Sequence, residues 1–316
     1  MNELKYFSTF TGAGGFEIGI ERAFNNRGLL QCVGFSEIDK YASQVIRYIY
    51  PNTKNYGDIS KINWNEVPDF DMLVGGSPCQ DLSIAGKRKG LEGARSGLFY
   101  EYMRAVREKK PQYFIWENVK GALSSNNGWD FAAVLNEMAE AGYSLQWQIC
   151  NAKDFGVPQN RERIFVIGTR GDSQREVFFE RGCGEVNNGE NGQGNAYCLN
   201  AGGDKHRGTY INQLNNPTHS NDRVYGEDGL SPALNTMQGG NRQPFVSKPP
   251  KIRRLTPTEC MRLMAWPDDH CDFGIDEKGN KVEISDSQKY KMAGNGVVSN
   301  VVEAIVYALH KSDETI

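Results

Sequence analysis

Tyr6-Phe-Ser-Thr-Phe10, a run of β-formers, stops at Thr11-Gly-Ala-Gly-Gly15 and gives way to Phe16, Ile18, Ile20, Ala23 and Phe24 at helical spacing. Strand, glycine turn, helix is the unit from which open α/β sheets are built, so this stretch constrains the fold more than any other. Glycines at such a turn let a ligand come close to the backbone, and the helix N-terminus offers unpaired N–H groups. Many α/β proteins carry one such turn for packing alone, so its meaning depends on the strands and turns that accompany it.

A second strand, Gln31–Ser36, ends at Glu37-Ile-Asp39. An acid about twenty residues beyond a glycine turn is where nucleotide-binding folds hold ribose hydroxyls. Lys40–Tyr50 reads as a helix stopped at Pro51, and Asn55-Tyr-Gly-Asp-Ile59 reads as a third strand end that turns Asp58 toward the same crevice. Asp71–Val74 is a short apolar strand opened by Gly75-Gly76 into Ser77-Pro-Cys-Gln80. Pro78 stiffens the turn and presents Cys79 at the strand's end. Glycines 86, 90, 93 and 97 interrupt the basic segment Lys87-Arg88-Lys89, which reads as a flap able to touch phosphates.

The alternation continues through helix Leu98–Lys110, strand Tyr113–Trp116 with Glu117-Asn-Val119 at its end, helix Trp129–Ala141, and strands Ser144–Asn151 and Arg163–Gly168. It predicts an α/β fold with a doubly wound, mostly parallel sheet whose ligands lie at the carboxyl ends of its strands. Beyond Arg170 the texture turns to Gly, Asn and short β runs, each of two followed by a glycine pair, Gly202-Gly203 and Gly239-Gly240. Here Asn, Gln, Thr, Arg and His abound, the side chains that read base edges. Helical character returns at Pro257–Trp266, and Ala293–Val298 reads as a second glycine turn before a last helix, Val301–His310. We expect a catalytic unit of residues 1–170 completed by 286–316, and a smaller, loop-rich β unit with a hinge over 171–285.

Composition narrows the function. The net charge of −3 argues against a nonspecific basic coat for nucleic acid. Positive charge is clumped instead, at Lys87–Lys89, Arg161-Glu-Arg163 and Lys251-Ile-Arg-Arg254, as local phosphate contact requires. Seven scattered cysteines include neither a CxxC pair nor a zinc-spaced cluster, so neither a disulfide framework nor a metal is expected. No apolar run of about eighteen residues or more and no signal-like N-terminus is present, which reads as a soluble cytoplasmic protein with no membrane partner.

Eight motifs occur in order: Phe10-Thr-Gly-Ala-Gly-Gly-Phe16, Glu37-Ile-Asp39, Gly57-Asp-Ile59, Gly76-Ser-Pro-Cys-Gln80, Glu117-Asn-Val119, Gln159-Asn-Arg-Glu-Arg163, Arg254-Leu-Thr-Pro-Thr-Glu-Cys260 and Gly294-Asn-Gly-Val-Val298. On them the chain resembles the C5-cytosine DNA methyltransferase family, over nearly its whole length except residues 171–248. The resemblance implies a Rossmann-like fold, S-adenosylmethionine as methyl donor and double-stranded DNA as substrate, with the target base flipped out. It implies Cys79 as nucleophile, Glu117 as the acid that meets the base, and Arg163 at the base's O2. Phe10, Gly12, Gly14, Glu37, Ile38, Asp58, Ile59, Pro78, Leu98 and Asn295 would line the donor. DNA contacts are expected from Lys87, Arg88, Lys89, Arg161, Asn235, Gln238, Asn241 and Arg242. Ala85 stands where some family members carry a serine on the catalytic loop. The family context also implies a monomer, with a cognate restriction endonuclease as a further partner.

Three other readings compete. A transfer-RNA cytosine methyltransferase shares most motifs but lacks a long insert, so residues 171–248 favour DNA. An NAD-dependent oxidoreductase accounts for the glycine turn and Glu37 but leaves Pro78-Cys79 and Glu117-Asn118 without a purpose. A catalytically dead DNA-binding protein has no need of the cysteine and the glutamate together.

Overall fold

The computed structural model describes residues 3–24, 30–78, 97–171, 211–219, 222–236, 242–248 and 251–313. In chain order its elements are β1 (Leu4–Thr9), α1 (Gly15–Phe24), β2 (Leu30–Ser36), α2 (Lys40–Ile49), β3 (Met72–Gly75), α3 (Leu98–Lys109), β4 (Tyr113–Val119), α4 (Trp129–Glu140), β5 (Tyr143–Asn151), β6 (Gln159–Asn160) and β7 (Glu162–Arg170). Beyond these lie β8 (Val224–Gly226), β9 (Ser231–Pro232), β10 (Phe245–Lys248), β11 (Lys251–Arg254), α5 (Pro257–Leu263), β12 (Phe273–Ile275), β13 (Lys281–Glu283), α6 (Asp286–Asn295) and α7 (Ser299–Asp313).

The main sheet has the order β2-β1-β3-β4-β7-β5. Its first four strands are parallel, while β7 runs antiparallel to both neighbours. The expected α/β architecture is therefore present, with one reversed strand. Strand order reverses between β2-β1 and β3-β4, which opens the crevice outside the carboxyl ends of β1 and β3. Because β7 is reversed, its first residues, Glu162 and Arg163, lie at that same edge, opposite Asn151 and Val119.

Apolar residues on successive positions of one strand serve opposite faces, and both faces are covered. Tyr6, Met72, Val74, Ile115 and Phe165 join α1, α5, α6 and α7 in one core. Phe7, Leu73, Phe114, Trp116 and Val166 join α3 and α4 in the other. The stretch Asp286–His310 is long and apolar enough by composition to cross a membrane; it consists of α6 and the start of α7, interrupted at Gly296–Val298. Its Val301, Val302, Ile305 and Val306 are buried in the first core.

Several expectations change. Asn55–Ile59 forms no strand: Asn55 makes a single bridge to Phe35, and the third strand is β3. Glu117 and Asn118 lie within β4, because that strand continues against β7 to Val119. Gly294 and Asn295 are the end of α6, with the break at Gly296. Helix α5 stops at Leu263, and Ala265 then takes a left-handed conformation. Leu255, Cys260, Met261, Leu263, Cys271 and Ile284, within the expected hinge unit, pack in the same core as α1 and α7. The smaller β elements among the described residues are a sheet in the order β11-β10-β8, the antiparallel β12–β13 pair and the β6–β9 pair.

Candidate active site

The carboxyl edge of the parallel strands gathers the site. Beyond β1, Phe10 at φ +51° starts a loop that Gly12 and Gly14 continue at positive φ. Nothing among the described residues lies within 4 Å of where a Gly12 Cβ would stand, so a ligand can lie directly on that backbone. Glu37, at the end of β2, accepts from Gly12 N at 2.7 Å and Asp39 N at 2.6 Å. Burial raises its pKa, and those two N–H groups oppose the rise. Each oxygen keeps a lone pair for a hydroxyl donor. Ile38 beside it is 74% exposed, an apolar surface at the rim of the crevice.

At the end of β3 the chain passes Gly76, where a Cβ would lie 2.7 Å from Glu117 Oε2 and 2.9 Å from the Glu117 carbonyl. Only glycine lets the two strands' ends approach so closely. Ser77 is then pinned twice: its hydroxyl accepts from Trp116 Nε1 at 3.1 Å and its carbonyl from Asn118 Nδ2 at 3.0 Å. That anchoring fixes the peptide entering Pro78, which is exposed. Cys79 itself lies outside the described residues, as do Lys87, Arg88, Lys89, Gln238, Asn241 and the two glycine pairs.

Glu117 and Arg163 are brought together from adjacent strands, Nε to Oε1 at 3.0 Å, both side chains largely buried. Burial pushes the Glu117 carboxyl up, and the Arg163 and Arg161 charges pull it back less strongly. Leu98 starts α3 and Asn295, exposed, ends α6. Asp58 caps a short turn: its Oδ1 accepts from the Ser60 hydroxyl and Ser60 N, and Lys61 lies 3.6 Å from Oδ2. Those hydrogen bonds hold its pKa below the usual carboxylate value. Ile59, next to it, is buried in the second core rather than facing the crevice.

Arg161 corrects an expectation. It is not on the DNA-facing surface but buried, with NH1 donating to the Leu234 carbonyl at 3.0 Å and NH2 to those of Gly294 and Gly296 at 3.0 and 2.6 Å. Gln159 joins it, donating to Leu263 O at 2.7 Å and accepting from Leu234 N at 3.1 Å. Asn235 and Arg242 are exposed. Two groups to which the sequence reading assigns no role matter here. Asn118 is the buried tether of Ser77, and Glu17 is a fully buried acid under the first loop. Glu17 shares the helical face of Ile20 and Phe24, at i, i+3 and i+7, and an acid on an apolar face is the signal for it.

The chain matches the C-5 cytosine-specific DNA methylase family over residues 4–196 and 184–311. It is 33% identical to the type II methyltransferase M.HhaI of Haemophilus parahaemolyticus, over 98% of this chain and 95% of the relative. It is 44% identical to the orphan methyltransferase M.Rho11sI of Bacillus phage rho11s, but over 59% of this chain and only 37% of that longer protein. In fold it is similar to the crystal structure of S. pombe Dnmt2 methyltransferase, with TM-score 0.71 and 17% identity over 99% of this chain and 100% of that one. A putative DNA modification methyltransferase encoded within an E. coli prophage superposes with TM-score 0.68 and 20% identity over 98% and 99%.

Proposed function

The chain belongs to the C-5 cytosine-specific DNA methylase family, and from that premise we propose that it methylates C5 of a cytosine flipped out of duplex DNA. The observation that carries the reading is the Glu117–Arg163 pair, which stands against Gly76, three residues before Cys79. C5 of cytosine is too weak a nucleophile to take a methyl group unaided. Addition of the Cys79 thiolate to C6 makes the ring an enamine, and a thiolate is the side chain suited to that attack.

Glu117 in its protonated form donates to N3 as the electron pair moves onto the ring. Its raised pKa supports that role, since burial favours the neutral acid. Arg163, held by Glu117, meets O2 and carries part of the developing negative charge. The bound donor would supply the methyl group, its carbon–sulfur bond breaking as C5 forms its own; a base then takes the C5 proton, the C6–S electrons return to sulfur as the Cys79 thiolate, and the N3 proton returns to Glu117 as the aromatic ring is restored.

The donor in this reading is S-adenosylmethionine, whose sulfonium supplies an electrophilic methyl group when bound. Residues at the crevice fit it. Gly12 offers open backbone, the Glu37 carboxylate has acceptor capacity for ribose hydroxyls, and exposed Ile38 and Pro78 offer apolar surface. Phe10, Gly14, Asp58, Leu98 and Asn295 complete the proposed lining. Ile59, being buried, contributes packing beneath Asp58 instead. Duplex contacts are assigned to Lys87–Lys89, Asn235, Gln238, Asn241 and Arg242, and the insert beyond Gly171 is assigned to reading the target. A restriction endonuclease of the same specificity is the partner this reading would add.

The test is a duplex carrying 5-fluorocytosine at the target, incubated with the methyl donor. It should trap a denaturation-resistant adduct at Cys79, and Cys79→Ala should abolish both trapping and methyl transfer while still binding the donor. Labelled methyl found on the exocyclic amine, or transfer to RNA alone, would refute the assignment.

A further inference from the structure

Glu17 lies in the first turn of α1, fully buried, and neither carboxylate oxygen has a hydrogen-bond partner of good geometry among the described residues. A buried carboxyl in that state either keeps its proton or sits within reach of a positive charge. Among the described residues, the groups around it supply none. Tyr6 and Ser8 of β1, Cys32 of β2, Tyr50 at the end of α2, and Glu21 one turn along α1 all face it. His270, after α5, approaches the same point, but its Nε2 is 2.6 Å from the Ala13 carbonyl and burial depresses its pKa, which leaves a neutral ring donating that bond. Arg22 interacts with Glu21, Glu303 and Asn300 instead.

What lies in front of Glu17 is the first loop. A Cβ on Gly14 would stand 3.6 Å from Glu17 Oε2 and 3.7 Å from His270 Nε2, so the carboxyl is one backbone thickness behind the loop. The Thr11 hydroxyl, in the loop, lies 3.2 Å from Ser8 Oγ, and Ser8 is the hydroxyl facing Glu17. The hydroxyls of Thr11 and Ser8 thus stand between the loop and the buried acid.

We propose that Glu17 determines which form of the cofactor this site prefers: the buried carboxylate raises affinity for the sulfonium donor over its neutral thioether product. Methyl transfer converts a sulfonium sulfur into an uncharged one with nearly the same shape, so a fixed negative charge behind the loop distinguishes two ligands that contacts alone do not. Product release is thereby favoured over loss of donor. At an effective dielectric of about 20, one charge acting from behind the loop changes the binding ratio on the order of tenfold. Burial pushes the pKa of Glu17 up to about 7, so the preference should grow as pH rises through neutrality. The inference rests on the reading of this loop as the donor's.

Dissociation constants of S-adenosylmethionine and S-adenosylhomocysteine, measured by calorimetry on the full chain at pH 6 and pH 8.5, test it. In the wild type the preference for the sulfonium should rise with pH. In Glu17→Gln that preference should drop about tenfold at pH 8.5 and lose its pH dependence. A folded Glu17→Gln with an unchanged ratio would overturn the proposal, as would a flat wild-type ratio, which needs no variant to measure. Failure of the wild type to bind either compound would instead remove the donor reading itself, and the inference with it.

Discussion

At the scale of single residues, two acids carry opposite kinds of information. Glu117 is buried beside Arg163, and in the proposed mechanism its raised pKa would keep a proton available for N3. The protonated fraction falls as pH rises through that pKa, so the single-turnover methylation rate should decline on the alkaline side. Glu117→Gln retains a hydrogen-bond donor that does not titrate. It should lose about 10²–10⁴-fold in rate and flatten that decline; an unchanged alkaline limb would assign the titration elsewhere. Glu17 offers a stability test. Its folded-state pKa, about 7, lies above the ordinary 4.5, so its ionisation opposes folding. The stability is fully present below the ordinary value and is lost as pH rises through 7, up to about 3 kcal/mol for a shift of this size. Glu17→Gln should therefore melt later than wild type at pH 8.5 and no later at pH 5. Glu117 was legible in the sequence because its chemistry belongs to a motif. Glu17 was not, because an acid in the first turn of a helix also reads as a favourable partner for the helix dipole.

Among the elements, Arg161 shows why charge in a sequence does not disclose where a side chain goes. In a polar run, Arg161-Glu-Arg163, both arginines read alike as candidates for DNA or base contact. The structure separates them by strand geometry: Arg163 meets Glu117, while Arg161 enters the protein and binds the backbone carbonyls of Leu234, Gly294 and Gly296. Burial and the Arg163 charge pull its pKa down to about 9, so it remains charged at neutral pH. Arg161→Met should leave those carbonyls unpaired and cost about 3–5 kcal/mol in denaturant unfolding, far more than loss of a surface phosphate contact. Gly294 marks the same junction, since a Cβ there would fall 2.1 Å from the Asn235 carbonyl. Backbone, not a flexible side-chain end, would have to move, so Gly294→Ala should open the junction and increase proteolysis between residues 211 and 248. The alternation of strands and helices was legible from apolar periodicity. The reversed direction of β7 was not, because an apolar strand carries no mark of its polarity, and Asn55–Ile59 failed as a strand because its turn chemistry prevailed.

Over the whole molecule, the boundary of the proposed recognition unit is where packing and sequence texture part company. Texture changes near Arg170 and helical character returns near Pro257, which suggests a unit reaching to residue 285. Yet Leu255, Cys260, Met261 and Leu263 sit in the core shared with α1 and α7. Polar composition reports solvent-facing loops, but it does not report which short helix has been drawn back onto the sheet. An exchange of recognition segments with a relative should respect the packing. Replacing residues 171–254 leaves α5, the β12–β13 hairpin and α6 in place, and it requires of the donor segment apolar residues where Leu234 and Val246 reach the core. The hydrogen bonds at the junction suit such an exchange, because Gln159 and Arg161 hold Leu234 by its backbone N–H and carbonyl, which any apolar replacement would also present. That chimera should fold and methylate cytosine at the relative's target sequence, read by bisulfite sequencing. Replacing 171–285 instead substitutes foreign residues for α5 and its buried partners, and should lower the melting temperature sharply or prevent folding. If both chimeras fold equally well, α5 does not contribute to the catalytic core in the way its burial implies. If the shorter one keeps the original target sequence, recognition lies outside the insert.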